Sequence, residues 1–275
     1  MGVMKTAIVI PTFDAVKRGM WKDVLDAVSR QDLPLDVKIV IDSGSTDQTV
    51  CIAEAFRWKV LRVAHRNFDH GNTRARIVRI LLHRGFDTVI FLSQDVVLAF
   101  PGALTKLTEY LWGNDLAGCY GKQISLHEHS LEAWQRKRCY PDCSRIKCLA
   151  DTPRLKLLTP FISNAFAAWK TAEVTAYGNF PRTMFGEDML LAARILEAGG
   201  AIGYCAEAIA VHEHPGRPGD LFLRGRAIGR FHREHPELLR RFGKPIPPLP
   251  YKDLPRIALP LAVKCLGYFC GRSMG

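Results

Sequence analysis

The chain has 275 residues, of which 48% are hydrophobic and 24% charged, a composition that is ordinary for a globular protein with one large or two small domains. Its eight cysteines show no paired spacing, which favours a reduced, cytosolic setting over a disulfide scaffold. The formal net charge of +11 and the pI near 9.4 favour anionic partners: nucleic acid, phosphorylated substrates or an anionic membrane.

The first hundred residues alternate apolar strands with helices. Strands are predicted at 6–10, 37–41, 58–63 and 87–92, and helices at 20–30, up to Phe56 and at 70–85. Because helices separate the strands, we expect an α/β fold with a mostly parallel central sheet and helices on both faces. Ligands of such sheets bind beyond the carboxyl ends of the strands, which points to the polar residues at 12–14, 42–47 and 93–95.

The second half of the chain is less regular. Its predicted segments are a strand at 116–123, a long excursion at 124–159, core-like sequence at 161–169 and short strands at 201–214. The spacing of Cys139, Cys143 and Cys148 in the excursion does not match the usual zinc-binding pairs. A strongly basic helix and a proline-rich, then apolar tail follow, so we divide the chain into a main domain, 1–216, and an extension, 217–275.

Two adjacent carboxylates, Glu187 and Asp188, open an apolar helical run that ends at Gly199-Gly200. Acidic residues at the start of a helix cap free N–H groups and face the positive end of the helix dipole, so capping alone explains the pair. From these residues alone capping is the better interpretation, and the rest of the chain has to decide whether the pair does more.

Three residues are candidate ligands of a divalent cation. Asp95 follows the strand predicted at 87–92, and one carboxylate holds Mg²⁺ or Mn²⁺ when substrate phosphates supply most of the other ligands. His212 and His214 are two residues apart, on one face of a predicted strand. The alternative is a turn aspartate with structural or surface histidines.

Two polar segments are candidate contacts for a nucleotide. Asp42 begins DSGSTD, where it can accept hydrogen bonds from a base or sugar, although Asx-turn chemistry explains the segment equally well. In HGNTRAR, Gly71 permits close backbone approach and Arg74 matches phosphate geometry, unless the helix simply presents a solvated basic face. The chain lacks GxxxxGK[ST], GxGxxG and GxSxG segments, which counts against a P-loop nucleotidase, a typical dehydrogenase and an α/β-hydrolase.

The order of these segments is more specific than any one of them. IVIPTFD, VIDSGSTDQT, FDHGNTRAR, FLSQD, FGEDMLLAARILEAG and VHEH follow one another in the order that resembles the inverting glycosyltransferases of family 2. The resemblance implies a Rossmann-like GT-A fold and a nucleotide-diphospho-sugar donor. FDHGNTR, FLSQD, YGKQ and FISNAF are similar to the rhamnosyltransferase-type members, which implies transfer of rhamnose from dTDP-rhamnose in cell-surface polysaccharide synthesis.

The resemblance also implies roles for the candidate residues. Asp188 would be the general base, supported by Glu187. Asp95 would be the last carboxylate of the metal-binding DxD motif and would hold Mg²⁺ or Mn²⁺ with His212 or His214. The nucleotide-sugar site would contain Pro11, Thr12, Phe13, Asp42, Gly71, Arg74, Gln94 and Asp95.

Several alternatives remain open. The donor is a UDP-sugar in one of them, and a sugar nucleotidyltransferase or an inactive nucleotide-sugar-binding scaffold are two others. Ser93 stands where the DxD motif has its first carboxylate, which puts metal dependence in question and keeps the scaffold open. Nucleic acid would explain the charge, but the chain has no recognised nucleic-acid motif, so we expect no nucleic-acid partner.

The acceptor is expected to be a saccharide or a lipid-linked saccharide. The apolar run at 257–270 is shorter than the roughly 20 residues that span a bilayer, and Lys264 interrupts it. It either packs on the core or, with the basic residues of 217–244, anchors the protein peripherally to an anionic membrane. We expect a cytoplasmic protein, with any such anchor on the cytoplasmic face of the membrane.

Overall fold

The computed structural model of the protein describes residues 4–127, 130–213, 217–243 and 254–273. Its strands are β1 (Thr6–Thr12), β2 (Val37–Asp42), β3 (Lys59–Arg62), β4 (Thr88–Leu92), β5 (Val96–Leu98), β6 (Gly118–Ile124), β7 (Arg145–Lys147), β8 (Phe166–Lys170) and β9 (Ile202–His212). Its helices are α1 (Trp21–Ser29), α2 (Thr49–Ala55), α3 (His70–His83), α4 (Ala103–Gly113), α5 (Leu131–Cys139), α6 (Thr152–Leu155), α7 (Thr171–Ala176), α8 (Glu187–Glu197), α9 (Pro218–Glu234), α10 (Pro236–Phe242) and α11 (Leu254–Ser273).

The described strands form one nine-stranded sheet in the order β3-β2-β1-β4-β8-β6-β9-β5, with β7 paired to β9. The first four strands are parallel neighbours, as the alternation of strand and helix predicts. Parallel register brings the carboxyl ends of β1, β2 and β4 to the same edge. The polar segments that follow these strands therefore lie at one edge of the sheet.

The other half of the sheet is mixed. β8 pairs antiparallel with both β4 and β6, while β6 is parallel to β9, and β5 and β7 are antiparallel to β9. Only β5, β7 and β8 oppose the common direction, which confirms the expected mostly parallel sheet. The prediction of short strands at 201–214 is wrong. β9 is one strand of 11 residues. Its pairing with β6 shifts in register between Gly121 and Lys122, and this irregularity accommodates the polar Glu207 of β9.

Two apolar cores lie on opposite faces of the sheet. Side chains alternate along β4, so that Val89 and Phe91 join one core and Ile90 and Leu92 join the other. Helices α3 and α8 cover the first face, and α1 and α4 cover the second. This double packing makes the sheet a rigid platform for the loops at its carboxyl edge.

The C-terminal extension is helical, but its basic segment is not the single helix that the sequence predicts. It forms α9 and α10, separated at His235, because Pro236 disfavours helical backbone in the residue before it. The apolar tail forms α11, which packs along α9. The predicted domain boundary, residue 216, lies outside the described residues.

Other elements were not predicted. Helix α4 and strand β5 lie between the fourth and fifth predicted strands, and the excursion contains α5, α6 and β7. None of the helices within the described ranges is long and apolar enough to cross a bilayer.

Candidate active site

A cavity of about 570 Å³ lies where the two halves of the sheet meet the C-terminal helices. The N-terminal ends of α3 and α8, the segment 161–165 and one side each of α5, α9 and α11 line it. Glu187, Asp188 and His212, three of the residues predicted from the sequence, all contribute to its wall. The structure therefore brings the acidic pair and a candidate cation ligand to one cavity.

Glu187 is the first residue of α8 and is buried. The preceding Gly186 has φ of 75°, and a β-carbon there would lie 2.5 Å from the ring of Phe231, so only glycine fits this helix start. The Glu187 carboxylate contacts Arg74 at 2.9 Å and accepts a hydrogen bond from Asn164 Nδ2 at 3.0 Å. Burial disfavours its charge, but the Arg74 guanidinium, the Asn164 hydrogen bond and further favourable contacts together outweigh burial and lower the pKa of Glu187.

Asp188 is half-buried beside Glu187. Its carboxylate accepts hydrogen bonds from the backbone N–H groups of Asn164, at 2.9 Å, and Met189, at 2.8 Å. Burial, and then the neighbouring Glu187 carboxylate, raise the pKa of Asp188 to about 7. A carboxyl group with such a pKa exchanges its proton near neutral pH, as a general base must.

Arg74 is buried beside the acidic pair. Its side chain is 6% exposed, its guanidinium pairs with Glu187, and it stacks 5.3 Å from the centre of the Phe91 ring. His70 Nδ1 lies 3.2 Å from the same guanidinium. Burial, and then the Arg74 charge, lower the pKa of His70 to about 4, so this imidazole is neutral at physiological pH. Arg74 therefore supports the acidic pair, and its predicted contact with the nucleotide or diphosphate stays a prediction.

Gly71 also has a protein partner. A β-carbon at this position would lie 1.7 Å from the carbonyl oxygen of Pro181, and the Gly71 N–H donates to the carbonyl of Thr183 at 3.1 Å. The 181–183 segment makes a close backbone approach to Gly71, and the predicted approach of a nucleotide stays a prediction. This contact holds the start of α3 against the segment that leads to Glu187.

Asp95 directly precedes β5, whose first residue, Val96, pairs with His212 at the end of β9. Nε2 of His212 is 3.5 Å from an Asp95 carboxylate oxygen, and Nδ1 is 2.7 Å from Oε1 of Gln123. Because Gln123 directs its Nε2 to Ser163 Oγ at 3.2 Å, its Oε1 accepts from Nδ1–H of the histidine. The neutral imidazole then carries its lone pair on Nε2, on the side of Asp95, as in histidines that bind metals.

A carboxylate and an oriented imidazole fit a divalent cation whose remaining ligands come from a diphosphate. The other predicted ligand, His214, lies outside the described residues. Among the residues that are described, no three His, Cys, Asp or Glu side chains are grouped so as to hold a metal by themselves. A cation at Asp95 and His212 would thus depend on further ligands, such as the phosphates of a bound donor.

The loop after β1 and the loop after β4 are joined directly. The Phe13 N–H donates to Oε1 of Gln94 at 2.8 Å, and Nε2 of Gln94 returns a hydrogen bond to the Phe13 carbonyl at 3.2 Å. Thr12 is buried and Pro11 half-buried, while the Phe13 ring is exposed and lies 4.8 Å from the ring of His65. These predicted nucleotide residues therefore lie close to Asp95.

Asp42 ends β2 and is buried at the base of its turn. Its carboxylate accepts hydrogen bonds from the N–H groups of Gly44, at 3.0 Å, and Ser45, at 3.1 Å, and from the Ser45 hydroxyl. This is the Asx-turn chemistry that the sequence left open. Asp42 also borders a surface pocket together with Arg62, so the turn leaves it at the edge of a possible ligand site.

Asn164 connects the parts of the site, although it is not among the site residues predicted from the sequence. Its backbone holds Asp188 and its side chain holds Glu187, while its Oδ1 accepts from Trp169 Nε1 at 2.8 Å. The adjacent Ser163 contacts Gln123 and so reaches His212. A polar pair inside the otherwise apolar FISNAFAAW was the available signal, since buried polar residues need such partners.

Lys147 of β7 supports the same segment from behind. Its buried ammonium group donates to the carbonyls of Leu158, at 3.1 Å, and Phe161, and lies 4.9 Å from the centre of the Tyr120 ring. Burial lowers the pKa of Lys147 to about 7. Lys147 therefore fixes the chain just before Ser163 and Asn164.

Comparison with solved structures shows that this is the GT-A glycosyltransferase fold. S. aureus TarS 1-349 in complex with UDP-GlcNAc matches with a TM-score of 0.62 at 15% identity, over 98% of this chain and 90% of the 1-349 chain. The mannosyltransferase PcManGT from Pyrobaculum calidifontis in complex with GDP-Man and Mn²⁺ matches with a TM-score of 0.59 at 15% identity, over 97% and 72% of the chains. At such identities the likeness shows the fold alone.

The sequence then identifies the family. Residues 4–227 match the model of the glycosyltransferase-like family 2, and the chain belongs to this family of glycosyltransferases. It is 36% identical over 243 residues to the O-antigen chain rhamnosyltransferase RfbN of Salmonella typhimurium, covering 87% of this chain and 76% of RfbN. It is 33% identical over 238 residues to the O-antigen chain rhamnosyltransferase WbaN of Salmonella anatum, covering 86% and 75%. The predicted family and fold are confirmed.

Proposed function

We propose that this glycosyltransferase moves rhamnose from dTDP-rhamnose to a saccharide or lipid-linked acceptor, with inversion at the anomeric carbon. The observation that carries the chemistry is Asp188, a half-buried carboxylate that backbone N–H groups orient at the cavity and whose pKa is raised to about 7. The choice of sugar is supported by the two O-antigen chain rhamnosyltransferases that the chain resembles over most of its length.

In the proposed reaction the acceptor hydroxyl attacks the anomeric carbon from the side opposite the diphosphate. The new bond joins the acceptor oxygen to that carbon, and the bond to the diphosphate oxygen breaks with its electron pair. The hydroxyl proton goes to the Asp188 carboxylate. Glu187 stays paired with Arg74, so that its charge raises the basicity of Asp188 without accepting the proton itself.

The same proposal assigns the residues at the edge of the sheet to the donor. Pro11, Thr12, Phe13 and Gln94 would border the nucleotide, and Asp42 would meet the base from its turn. Asp95 and His212, with His214, would hold Mg²⁺ or Mn²⁺, which supplies positive charge to the departing diphosphate. Gln123 keeps the His212 ring in the orientation that faces Asp95. Two structural neighbours were solved in complexes that contain Mn²⁺, which supports a cation in this fold.

The walls of the cavity suit an acceptor that is partly apolar and partly anionic. Aromatic and aliphatic side chains alternate there with cationic ones contributed by α5, α9 and α11. A saccharide carried on a lipid phosphate has this combination of properties. We propose that the protein meets such an acceptor at the cytoplasmic face of a membrane, as a peripheral protein.

A donor panel tests this function. Purified protein is incubated with dTDP-rhamnose, UDP-glucose, UDP-GlcNAc or GDP-mannose and a membrane extract, and nucleoside diphosphate release and sugar incorporation are measured. We expect incorporation of rhamnose only, with release of dTDP and no release of pyrophosphate. Preference for a UDP-sugar would replace the donor, and tight nucleotide-sugar binding without transfer would indicate a scaffold. In a separate incubation with dTTP and rhamnose 1-phosphate, formation of dTDP-rhamnose and pyrophosphate would indicate a nucleotidyltransferase.

A further inference from the structure

Helices α9 and α11 pack unusually closely through glycines on both. A β-carbon at Gly225 would lie 2.1 Å from the backbone oxygen of Lys264, and one at Gly229 would lie 2.0 Å from that of Tyr268. Gly267 and Gly271 make the reciprocal approach to the backbone of α9, each at 2.1 Å. Each helix thus carries two glycines four residues apart, the spacing that lets helix backbones touch.

This packing turns one side of α11 away from α9. Leu259, Leu266 and Phe269 are 74%, 60% and 66% exposed, and Leu223 on α9 is 59% exposed. The spacing of three and seven residues places the α11 side chains on one face of the helix, opposite its glycines. The three α11 side chains, the apolar stripe, are among the four most exposed large hydrophobic residues of the described chain. An exposed apolar helix face of this kind marks a binding surface.

The surroundings of the stripe are cationic. Residues 217–243 and 254–273 contain ten Lys and Arg residues against three acidic ones. The side chains of Arg226 and Arg230, on α9, are exposed. A strongly basic helix pair with an apolar stripe matches the two components of an anionic bilayer surface, its phosphates and its acyl chains.

We propose that the apolar stripe docks the protein on an anionic phospholipid bilayer, with α11 lying in the interface and arginines of α9 meeting lipid phosphates. Because neither helix is long and apolar enough to span a bilayer, the docking is peripheral. Within the described part of the chain the stripe is solvent-exposed, so lipid can reach it without any rearrangement.

The other side of the same helix pair borders the active site. Arg224, Ile228 and Phe231 of α9 and Lys264 of α11 line the cavity, and Phe231 packs on Gly186 at the start of α8. The helix pair that carries the stripe therefore also forms part of the wall of the cavity that contains Asp188. That this serves a lipid-linked acceptor rests on the proposed function, whereas the docking itself does not.

Sedimentation with vesicles tests the docking. The full chain is spun with vesicles of phosphatidylglycerol and phosphatidylcholine, and with vesicles of phosphatidylcholine alone, at low and high salt. The stripe variant Leu259→Gln/Leu266→Gln/Phe269→Gln is compared with Leu61→Gln/Ile80→Gln/Ile146→Gln, a matched control that changes three exposed hydrophobic residues elsewhere. Thermal unfolding confirms that both variants are folded, which exposed positions permit.

We expect salt-sensitive binding of the wild type and the control to the anionic vesicles, and at least about a tenfold weaker partition for the stripe variant. Arg226→Gln/Arg230→Gln should lose mainly the salt-sensitive part. Equal binding of the stripe variant, or a wild type that stays in the supernatant, overturns the proposal. A wild-type dimer that the stripe variant converts to monomer would assign the face to a second copy instead. Sugar transfer to a water-soluble acceptor should be unchanged in the stripe variant, which separates docking from function.

Discussion

Two regions of the molecule hold their polar groups in different ways. In residues 4–95, which we propose to bind most of the donor and call the donor half, Asp42 is satisfied by the N–H groups of residues two and three positions further along the chain. In residues 96–273, which we propose to hold the base and the acceptor and call the acceptor half, Asp188 depends on the backbone of Asn164, and its neighbour Glu187 depends on Arg74 of the donor half. The first arrangement is local turn chemistry, and the second is assembled only by the complete fold.

The difference has a chemical consequence. A carboxylate that local N–H groups satisfy can be ready for a ligand at little expense to stability. Asp188, in contrast, lies beside a second buried carboxylate, and its raised pKa reports an unfavourable charge. We infer that the donor half is suited to bind a ligand. In the acceptor half, the unfavourable charge of Asp188 raises its pKa and suits it to act as a base.

The largest effect should follow from removing Arg74. The variant Arg74→Leu leaves Glu187 buried without its cation, so we expect the free energy of unfolding to fall by about 3–5 kcal/mol. Denaturant titration measures this loss. The control is Arg30→Leu, whose exposed partner Asp26 should make the change smaller than about 0.5 kcal/mol. Equal losses in the two variants would contradict the difference between buried and local pairing.

Gly71→Ala should come next, because its β-carbon would collide with the Pro181 carbonyl oxygen. We expect about 2–3 kcal/mol of destabilisation in the absence of any nucleotide. Gly113→Ala is the matched control, since no atom lies within 4 Å of its β-carbon. If Gly71→Ala instead kept full stability and lost only donor affinity, the result would favour the predicted contact between Gly71 and the nucleotide.

Cation removal probes the boundary between the two halves, where Asp95 and His212 meet. Activity should be lost in excess chelator and return with Mn²⁺ or Mg²⁺. Asp95→Asn should need about 10–100 times more cation for half-maximal activity, whereas Asp142→Asn, an exposed control, should not differ from wild type. Full activity of the wild type in chelator would show that protein cations alone stabilise the diphosphate.

The smallest effect concerns stability and pH. The pKa of Asp188 is about 7 in the folded protein and near 3.8 in an unfolded chain, so unfolding releases its proton between these values. Its contribution to stability is present below pH 3.8 and is lost as pH rises through 7. Asp188→Asn lacks this loss. The full shift corresponds to about 4 kcal/mol, which solvent screening of the half-buried carboxylate reduces, so we expect a gain of about 1–2 kcal/mol relative to wild type between pH 4 and pH 8. A constant difference between the two proteins across that range would contradict the raised pKa.

The donor half was predictable from sequence because its signals are local. The alternation of apolar strands and helices predicts β1 to β4, and the polar residues after them lie where such sheets bind ligands. The start of α8 at Glu187 was equally legible, since acidic residues precede an apolar helical run. The break between α9 and α10 was missed although Pro236 signals it, because the basic run continues through it.

The acceptor half was less predictable because its contacts join residues far apart in the chain. No spacing rule pairs Arg74 with Glu187. No sequence pattern shows that the backbone at Pro181 packs on Gly71. Asn164 carried no pattern that tied it to the acidic pair. The glycines that join α9 to α11 are visible in the sequence, but their meaning depends on which helices meet.

The most direct test of the central claim, that Asp188 is the base, is to measure turnover and donor affinity in Asp188→Asn on the same samples. Asparagine keeps the shape and the acceptor for the Asn164 N–H, but it cannot take a proton. We predict that kcat falls by about a hundredfold or more while the donor Kd stays within about twofold of wild type. The wild-type rate should rise with pH through a midpoint near 7. Near-normal turnover in the variant, or a loss carried by donor affinity, would contradict the account.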